Sequence, residues 1–338
     1  MSDSSHGYAR QPQANPAPRA QPQLQTSMSL QPHFVRWSVP VAGVIGLAVG
    51  AFLSWPIAVG AFVAAMCLAH LATWLWEPVL AAPFRAADSA LTLPAGIDRK
   101  VVIVLVTSAL CITGLEYFGM SNRHVHVVSA LQFMGFDSAA VALDEAMRDQ
   151  ISRLTWWALG CVITYFVIPA FVVVFVLKES LRDYGFRIRG ALDDWWIYAI
   201  FLAVMLPTVL IVSGDAHFQD TYPFYRMSPG ESWWPNMMRW QLLYWLQFLT
   251  LEFFFRGFMV HGTKHRLGSL SVFVMMVPYC MIHFGKPLPE TLGAIIAGVV
   301  LGALSLKTRS IWLGVAIHVS VAVSMDLASL WRAGLLGP

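Results

Sequence analysis

Charge is scarce in this sequence. Asp, Glu, Lys and Arg make up 12% of its 338 residues, against a share of roughly 25% in soluble domains. Hydrophobic residues reach 57%, which leaves too little polar surface for an ordinary soluble domain. The net charge of +3 is also too small to indicate nucleic-acid binding. We therefore expect a protein whose surroundings are the lipid bilayer, with no nucleic-acid partner.

Cysteine is equally scarce, and the patterns that would hold a disulfide framework or a cysteine zinc site are missing. The chain has four cysteines, and neither a C-x-x-C pair nor an H-E-x-x-H zinc motif occurs in it. We interpret these cysteines as small buried hydrophobic residues. They are Cys67, Cys111, Cys161 and Cys280.

Long apolar runs are what the sequence has instead. A helix needs about 20 apolar residues to cross a bilayer, and we count nine such candidates. The prediction is an all-α fold, a polytopic transmembrane helical bundle with about eight or nine spans. Residues 1–35, rich in Pro, Gln, Ser and Ala, are predicted to form a disordered cytoplasmic tail. The candidate spans lie near residues 37–54, 56–78, 100–119, 155–177, 195–213, 238–262, 269–287, 291–306 and 310–331.

The distribution of Lys and Arg predicts the orientation of the bundle. With the N-terminus in the cytoplasm, the inward loops and the tail hold fourteen of these residues and the outward segments hold seven. Because positive residues concentrate on the cytoplasmic side, this favours a cytoplasmic N-terminus and an outward C-terminus.

Three ionisable side chains inside predicted spans are candidates for chemistry, because such residues are costly in a membrane. Glu252, His283 and His318 come from three different spans. At about 1.5 Å of rise per residue, they fall within a band of roughly 10 Å in depth. A glutamate in an apolar setting can act as a general base on water, and a histidine can hold the same water or stabilise an oxyanion. The set predicts a single intramembrane site for hydrolysis.

Nearby residues are predicted to support this site. Arg256 follows Glu252 by one helical turn and can pair with it, holding the carboxylate ionised. Asp326 lies near the depth of His283 and could orient it.

Other interpretations stay open at this point. Glu252 and Arg256 taken alone are an ordinary i,i+4 ion pair, which suits a membrane binding or scaffold protein without catalysis. The three candidate residues could also relay protons in a transporter, although no inverted repeat is evident between the two halves of the sequence. They could ligate zinc, but because they come from separate spans we favour metal-free catalysis without a cofactor.

The stretch from about residue 240 to 330 resembles the CPBP family of intramembrane proteases, which includes the CAAX prenyl endopeptidases. That family shows a Glu-Glu-x-x-x-Arg helix, then Phe-x-x-x-His, a Gly-rich helix, a Thr-x-Ser-Ile/Leu-Trp turn and His-x-x-x-Asn. The corresponding segments here are Glu252-x-x-x-Arg256, Tyr279-x-x-x-His283, the Gly-rich stretch 293–302, the turn 308–312 and His318.

The resemblance implies hydrolysis of a peptide bond within the membrane, in a membrane-embedded or lipid-linked polypeptide substrate. Carried over, Glu252 and His283 activate water and His318 assists the transition state. Leu251 stands where the family has its first Glu, and Ala322 stands where it has Asn. Either Glu252 has taken over as base, with Asp326 supplying the polar group lost at Ala322, or the protein is a catalytically inactive relative.

The resemblance also predicts how the chain is divided into domains. Residues 36–178 are then N-terminal transmembrane helices of unknown role, and residues 179–338 are the CPBP-like protease domain. The family's broad bacterial membership points to a bacterial inner membrane as the location.

Overall fold

The computed structural model describes residues 67–91 and 96–336. The chain separates into two compact units, Met1–Thr73 and Trp74–Pro338. In the first unit, the described residues 67–73 are helical. The predicted tail, the predicted span at 37–54 and most of that at 56–78 lie outside the described residues.

The described part of the second unit is built from helices and contains no strand. Short helices join the long ones, and a 3-10 turn, Leu181–Tyr184, leads towards α6. In chain order the helices are α1 (76–89), α2 (Arg99–Gly119), α3 (His124–Phe133), α4 (Asp137–Ala146), α5 (Gln150–Val176), α6 (Trp195–Val212), α7 (Ala216–Thr221), α8 (236–267), α9 (Leu270–Met281), α10 (Leu288–Thr308) and α11 (Trp312–Arg332).

Five of these helices, α2, α5, α6, α10 and α11, are long and apolar enough to cross a membrane. Their bounds lie within about five residues of five spans that the apolar runs predict. Helix α9 is apolar but shorter, with 12 residues. The all-helical membrane fold is thus confirmed for the described residues, whereas the count of eight or nine spans stays a prediction.

Helix α8 is the central element of the fold. It packs against α2, α5, α9, α10 and α11, and all nine residues of its π-helical middle, Phe253–His261, are buried. Because protein rather than lipid surrounds this segment, it can carry charged residues that a lipid-facing helix of the same length would expose at high cost. This position explains why α8 is less apolar than its neighbours. It also places α2 and α5, which precede residue 179, directly against the helix that bears Glu252.

The start of α11 is fixed by the turn after Leu181–Tyr184. Gly185 adopts a left-handed φ of +84°, and its carbonyl accepts a hydrogen bond of 3.1 Å from the Ile311 N–H. Next to it, Gly257 of α8 approaches the Tyr184 carbonyl so closely that an added Cβ would lie 2.6 Å from that oxygen. The turn therefore keeps the middle of α8 and Ile311, the residue before α11, at the same height in the bundle.

A second contact joins α8 to α2 at the end of the bundle that is predicted to face the cytoplasm. Asp98 caps α2 by accepting a hydrogen bond of 3.0 Å from the Val101 N–H, and its other oxygen lies 2.9 Å from His265 Nε2. The Val101 hydrogen bond, with a smaller contribution from His265, lowers the pKa of Asp98. The two helix ends are thus linked through one carboxylate.

Candidate functional site

Glu252 lies at the centre of the bundle with its side chain 1% exposed. The next turn of α8 places Arg256 on the same face, and Arg256 Nη1 lies 3.2 Å from Glu252 Oε1. The guanidinium is 0% exposed, so both charges are withdrawn from solvent and each stabilises the other. An ion pair of this kind holds the glutamate as a carboxylate inside the protein.

His318 brings a second helix to the same carboxylate. Its Nδ1 lies 2.8 Å from Glu252 Oε1, because α11 packs along α8. The imidazole also stacks on Phe248, one helical turn before Glu252, with the ring centroids 5.4 Å apart. Phe248 and Glu252 therefore define the position of the His318 ring from two sides.

Gly314 allows the two helices to come this close. It precedes His318 by one turn of α11, and the Glu252 side chain lies against its Cα. A Cβ added at Gly314 would lie 3.0 Å from Glu252 Cδ and closer still to Oε2. Any larger residue would occupy the space that the carboxylate fills.

Tyr279 of α9 joins the cluster from a third helix. Its hydroxyl lies 2.9 Å from His318 Nε2, and its ring covers the Arg256 guanidinium at 3.9 Å from the ring centroid. The Tyr279 backbone carbonyl is in turn 2.8 Å from Nδ1 of His283. His283 therefore reaches the cluster through Tyr279, with its ring 4.9 Å from the tyrosine ring.

Asp326 lies elsewhere on α11. It follows His318 by eight residues, which is about 12 Å along a helix. Its Oδ2 accepts hydrogen bonds from Gln241 Nε2 at 2.7 Å and from Trp240 Nε1 at 3.2 Å. The predicted contact with His283 is replaced by these two bonds to α8.

Leu251 and Ala322, the two residues that differ from the family motifs, both pack against apolar clusters. Leu251 packs against the apolar cluster that contains Phe253 and Phe254. Ala322, which is 2% exposed, packs with Trp240 and Tyr244. In this chain it is Glu252 that is directed to His318.

The three residues that could have ligated zinc do not form one ligand set. Glu252 and His318 are in contact, but Nδ1 of His283 is 2.8 Å from the Tyr279 carbonyl. Within residues 67–91 and 96–336, no three His, Cys, Asp or Glu side chains are grouped as metal ligands would be.

Sequence reasoning assigned no role to four contacts that shape the site: those of Phe248, Gly314, Trp240 and Gln241. Two of them could have been predicted from the helical period. Phe248 precedes Glu252 by four residues and Gly314 precedes His318 by four, so each lies on the same helix face as its partner. The other two depended on knowing that α8 and α11 pack side by side.

Fold and site together define a polytopic helical membrane protein with a buried carboxylate–histidine cluster. Residues 232–324 match the family model described as Rce1-like, Type II CAAX prenyl endopeptidase Rce1-like. This match confirms the resemblance to the CPBP and CAAX protease family for that part of the chain, which contains every residue of the cluster. Comparison with curated proteins and with solved structures gave no match.

Proposed function

We propose that this protein is an intramembrane endopeptidase that hydrolyses a peptide bond of a membrane-embedded or lipid-linked polypeptide. The observation that supports it best is the contact of 2.8 Å between Glu252 Oε1 and His318 Nδ1. These two side chains come from different helices of a domain that matches CAAX prenyl endopeptidases.

In this mechanism Glu252 is the general base. It takes a proton from a water molecule that it holds together with His283, and the resulting hydroxide adds to the carbonyl carbon of the scissile bond. The C–N bond then breaks, its electron pair goes to nitrogen, and the proton on Glu252 passes to the departing amine. One carboxylic acid and one amine are the products.

His318 and Arg256 assist by compensating charge. The His318 ring touches the same carboxylate oxygen that Arg256 pairs with. Fixed dipoles and charges of this kind act strongly in a water-poor site. His318 thereby assists the reaction by holding the Glu252 carboxylate in position as it takes the proton, and Arg256 keeps Glu252 ionised before the reaction.

The test is cleavage of a farnesylated C-a-a-X peptide by the purified protein in liposomes. Loss of the base in Glu252→Gln is expected to reduce the rate per folded and inserted molecule by at least about a hundredfold, and His283→Ala to do the same. The matched control is Glu145→Gln on α4, an exposed glutamate, which should keep the full rate. Full activity of Glu252→Gln would rule out this mechanism.

The role of a metal is tested in the same assay. Because Glu252, His283 and His318 do not form a joint ligand set, we propose glutamic rather than metal-dependent catalysis. Cleavage should then withstand prolonged dialysis against a zinc chelator. Loss of activity that added zinc restores would contradict this part of the proposal.

A second function, binding or scaffolding without catalysis, is favoured by the burial of the Glu252–Arg256 ion pair, whose members are 1% and 0% exposed. Under this alternative no C-a-a-X peptide is cleaved, and Glu252→Gln lowers the yield of folded protein because Arg256 loses its charge partner. Because Arg256 loses its partner in Glu252→Gln under either function, cleavage of the C-a-a-X peptide by the wild-type protein is the measurement that separates the two.

A further inference from the structure

Tyr279 makes three contacts with other residues of the site, and they involve its hydroxyl, its ring and its backbone carbonyl. Its hydroxyl meets His318, its ring covers Arg256, and its backbone carbonyl meets His283. The side chain is itself 2% exposed. These three contacts place one residue of α9 against Arg256, His283 and His318.

The direction of the hydrogen bonds follows from the partners of His318. Nδ1 lies 2.8 Å from a carboxylate oxygen of Glu252, and a carboxylate can only accept. Nδ1 must therefore carry the ring proton that faces it. In the neutral imidazole Nε2 then has a lone pair, and the Tyr279 hydroxyl at 2.9 Å is the group that donates to it.

The geometry points to Tyr279 as a positioning residue that fixes the ring orientation of His318 by donating its hydroxyl hydrogen bond to Nε2. The inference rests on the proposed function, because it assigns His318 its state in that reaction. With Nε2 accepting from Tyr279, the Nδ1–H is always presented to Glu252. Without the hydroxyl, Nε2 loses its donor, and the ring is held at its Nδ1 side alone, so that its alignment with Glu252 is less closely fixed.

Phenylalanine, the residue of the family motif at this position, cannot make this bond. It can, however, keep the ring over Arg256, because the cation–π contact needs only the aromatic face. The substitution Tyr279→Phe therefore removes the hydrogen bond alone, whereas Tyr279→Leu removes the bond and the ring. The two variants separate positioning of His318 from packing on Arg256.

Kinetics of cleavage of the farnesylated C-a-a-X peptide provide the first measurement. We expect Tyr279→Phe to lower kcat about tenfold, the effect of one lost hydrogen bond in the transition state, with KM changed less than about twofold. The melting temperature should stay close to that of the wild type, while Tyr279→Leu should melt lower. The control is Tyr165→Phe, since Tyr165 is also buried, at 3% exposure, but its ring stacks on Phe254, away from His318.

Nitrogen NMR of histidine in the ¹⁵N-labelled protein provides the second measurement, which does not depend on cleavage. The His318 signals, assigned with His318→Gln, should show a protonated Nδ1 and an unprotonated Nε2 in the wild type and in Tyr165→Phe. In Tyr279→Phe the Nε2 signal should move towards the position of an imidazole nitrogen that accepts no hydrogen bond.

The outcomes distinguish a failure of the positioning role of Tyr279 from a failure of the proposed function. If Glu252→Gln is inactive but Tyr279→Phe keeps the wild-type kcat and nitrogen shifts, the positioning role is overturned and the proposed function stands. If the wild type cleaves no C-a-a-X peptide, the proposed function fails, and if Glu252→Gln is fully active, the role of Glu252 as base fails and the role of Tyr279 in that mechanism fails with it. A wild-type His318 that is protonated only on Nε2 overturns the inference whatever the kinetics.

Discussion

At the scale of single residues, Arg256 decides whether the centre of the protein can hold a charge. Its guanidinium is 0% exposed, it lies 3.2 Å from Glu252, and the Tyr279 ring covers it. Breaking a buried ion pair by removing one partner is costly, because the remaining charge stays desolvated without compensation. Arg256 therefore stabilises the fold as well as the ionised state of the proposed base.

We predict that Arg256→Ala destabilises the protein by about 3–5 kcal/mol. The free energy of unfolding in mixed micelles, measured by titration with a denaturing detergent, checks this. Arg239→Ala is the control, because Arg239 is an exposed arginine on the same helix and should change stability by less than about 0.5 kcal/mol. Equal stability of the two variants would show that the ion pair contributes nothing to folding.

At the scale of helices, the site depends on how closely α8 approaches α11. The Glu252 carboxylate occupies the space beside Gly314, where an added Cβ would lie 3.0 Å from Glu252 Cδ. Small residues are the general means by which membrane helices approach one another. Here Gly314 of α11 leaves space for the Glu252 side chain of α8 rather than for the α8 backbone.

We predict that Gly314→Ala pushes the carboxylate away from His318 and lowers peptide cleavage by at least about tenfold, with a loss of stability of roughly 1–3 kcal/mol from overpacking. Gly293→Ala on α10 is the matched control. A Cβ at Gly293 meets nothing within 4 Å, and alanine is the better helix former, so this variant should be neutral or slightly more stable. Wild-type cleavage by Gly314→Ala would mean that the close approach has no bearing on the site.

At the scale of the whole molecule, the predicted orientation in the membrane rests on charge rather than on packing. The predicted inward loops and tail contain twice as many Lys and Arg residues as the predicted outward segments, fourteen against seven. By the positive-inside rule, this asymmetry supports the prediction that the N-terminus is cytoplasmic. Asp144 of α4 then faces outward and Asp183, before α6, faces inward.

We predict that an impermeant maleimide added to intact cells labels Asp144→Cys and leaves Asp183→Cys unlabelled until the cells are opened. Both positions are exposed, and the four native cysteines are first replaced by alanine. The reverse pattern would invert the topology and place the N-terminus outside.

Sequence alone predicted most of the elements and the residues that carry charge in the core. The spans at 100–119 and 195–213 correspond to α2 and α6. A helix must be long and apolar to cross a bilayer, so it can be recognised in the sequence as a long apolar run. The order and spacing of the motifs around Glu252, His283 and His318 indicated the resemblance to the family. These features are local in the chain, so they can be read without knowing which helices are neighbours.

Only the tertiary structure decided which of these residues meet. Depth along a helix axis can be counted from the sequence, but lateral packing and the rotation of each helix cannot. For this reason Asp326 was expected near His283 and instead bonds to Trp240 and Gln241. For the same reason the contacts of His318 with Glu252 and with the Tyr279 hydroxyl could not be derived: they depend on three helices, α8, α9 and α11, packing with particular faces together.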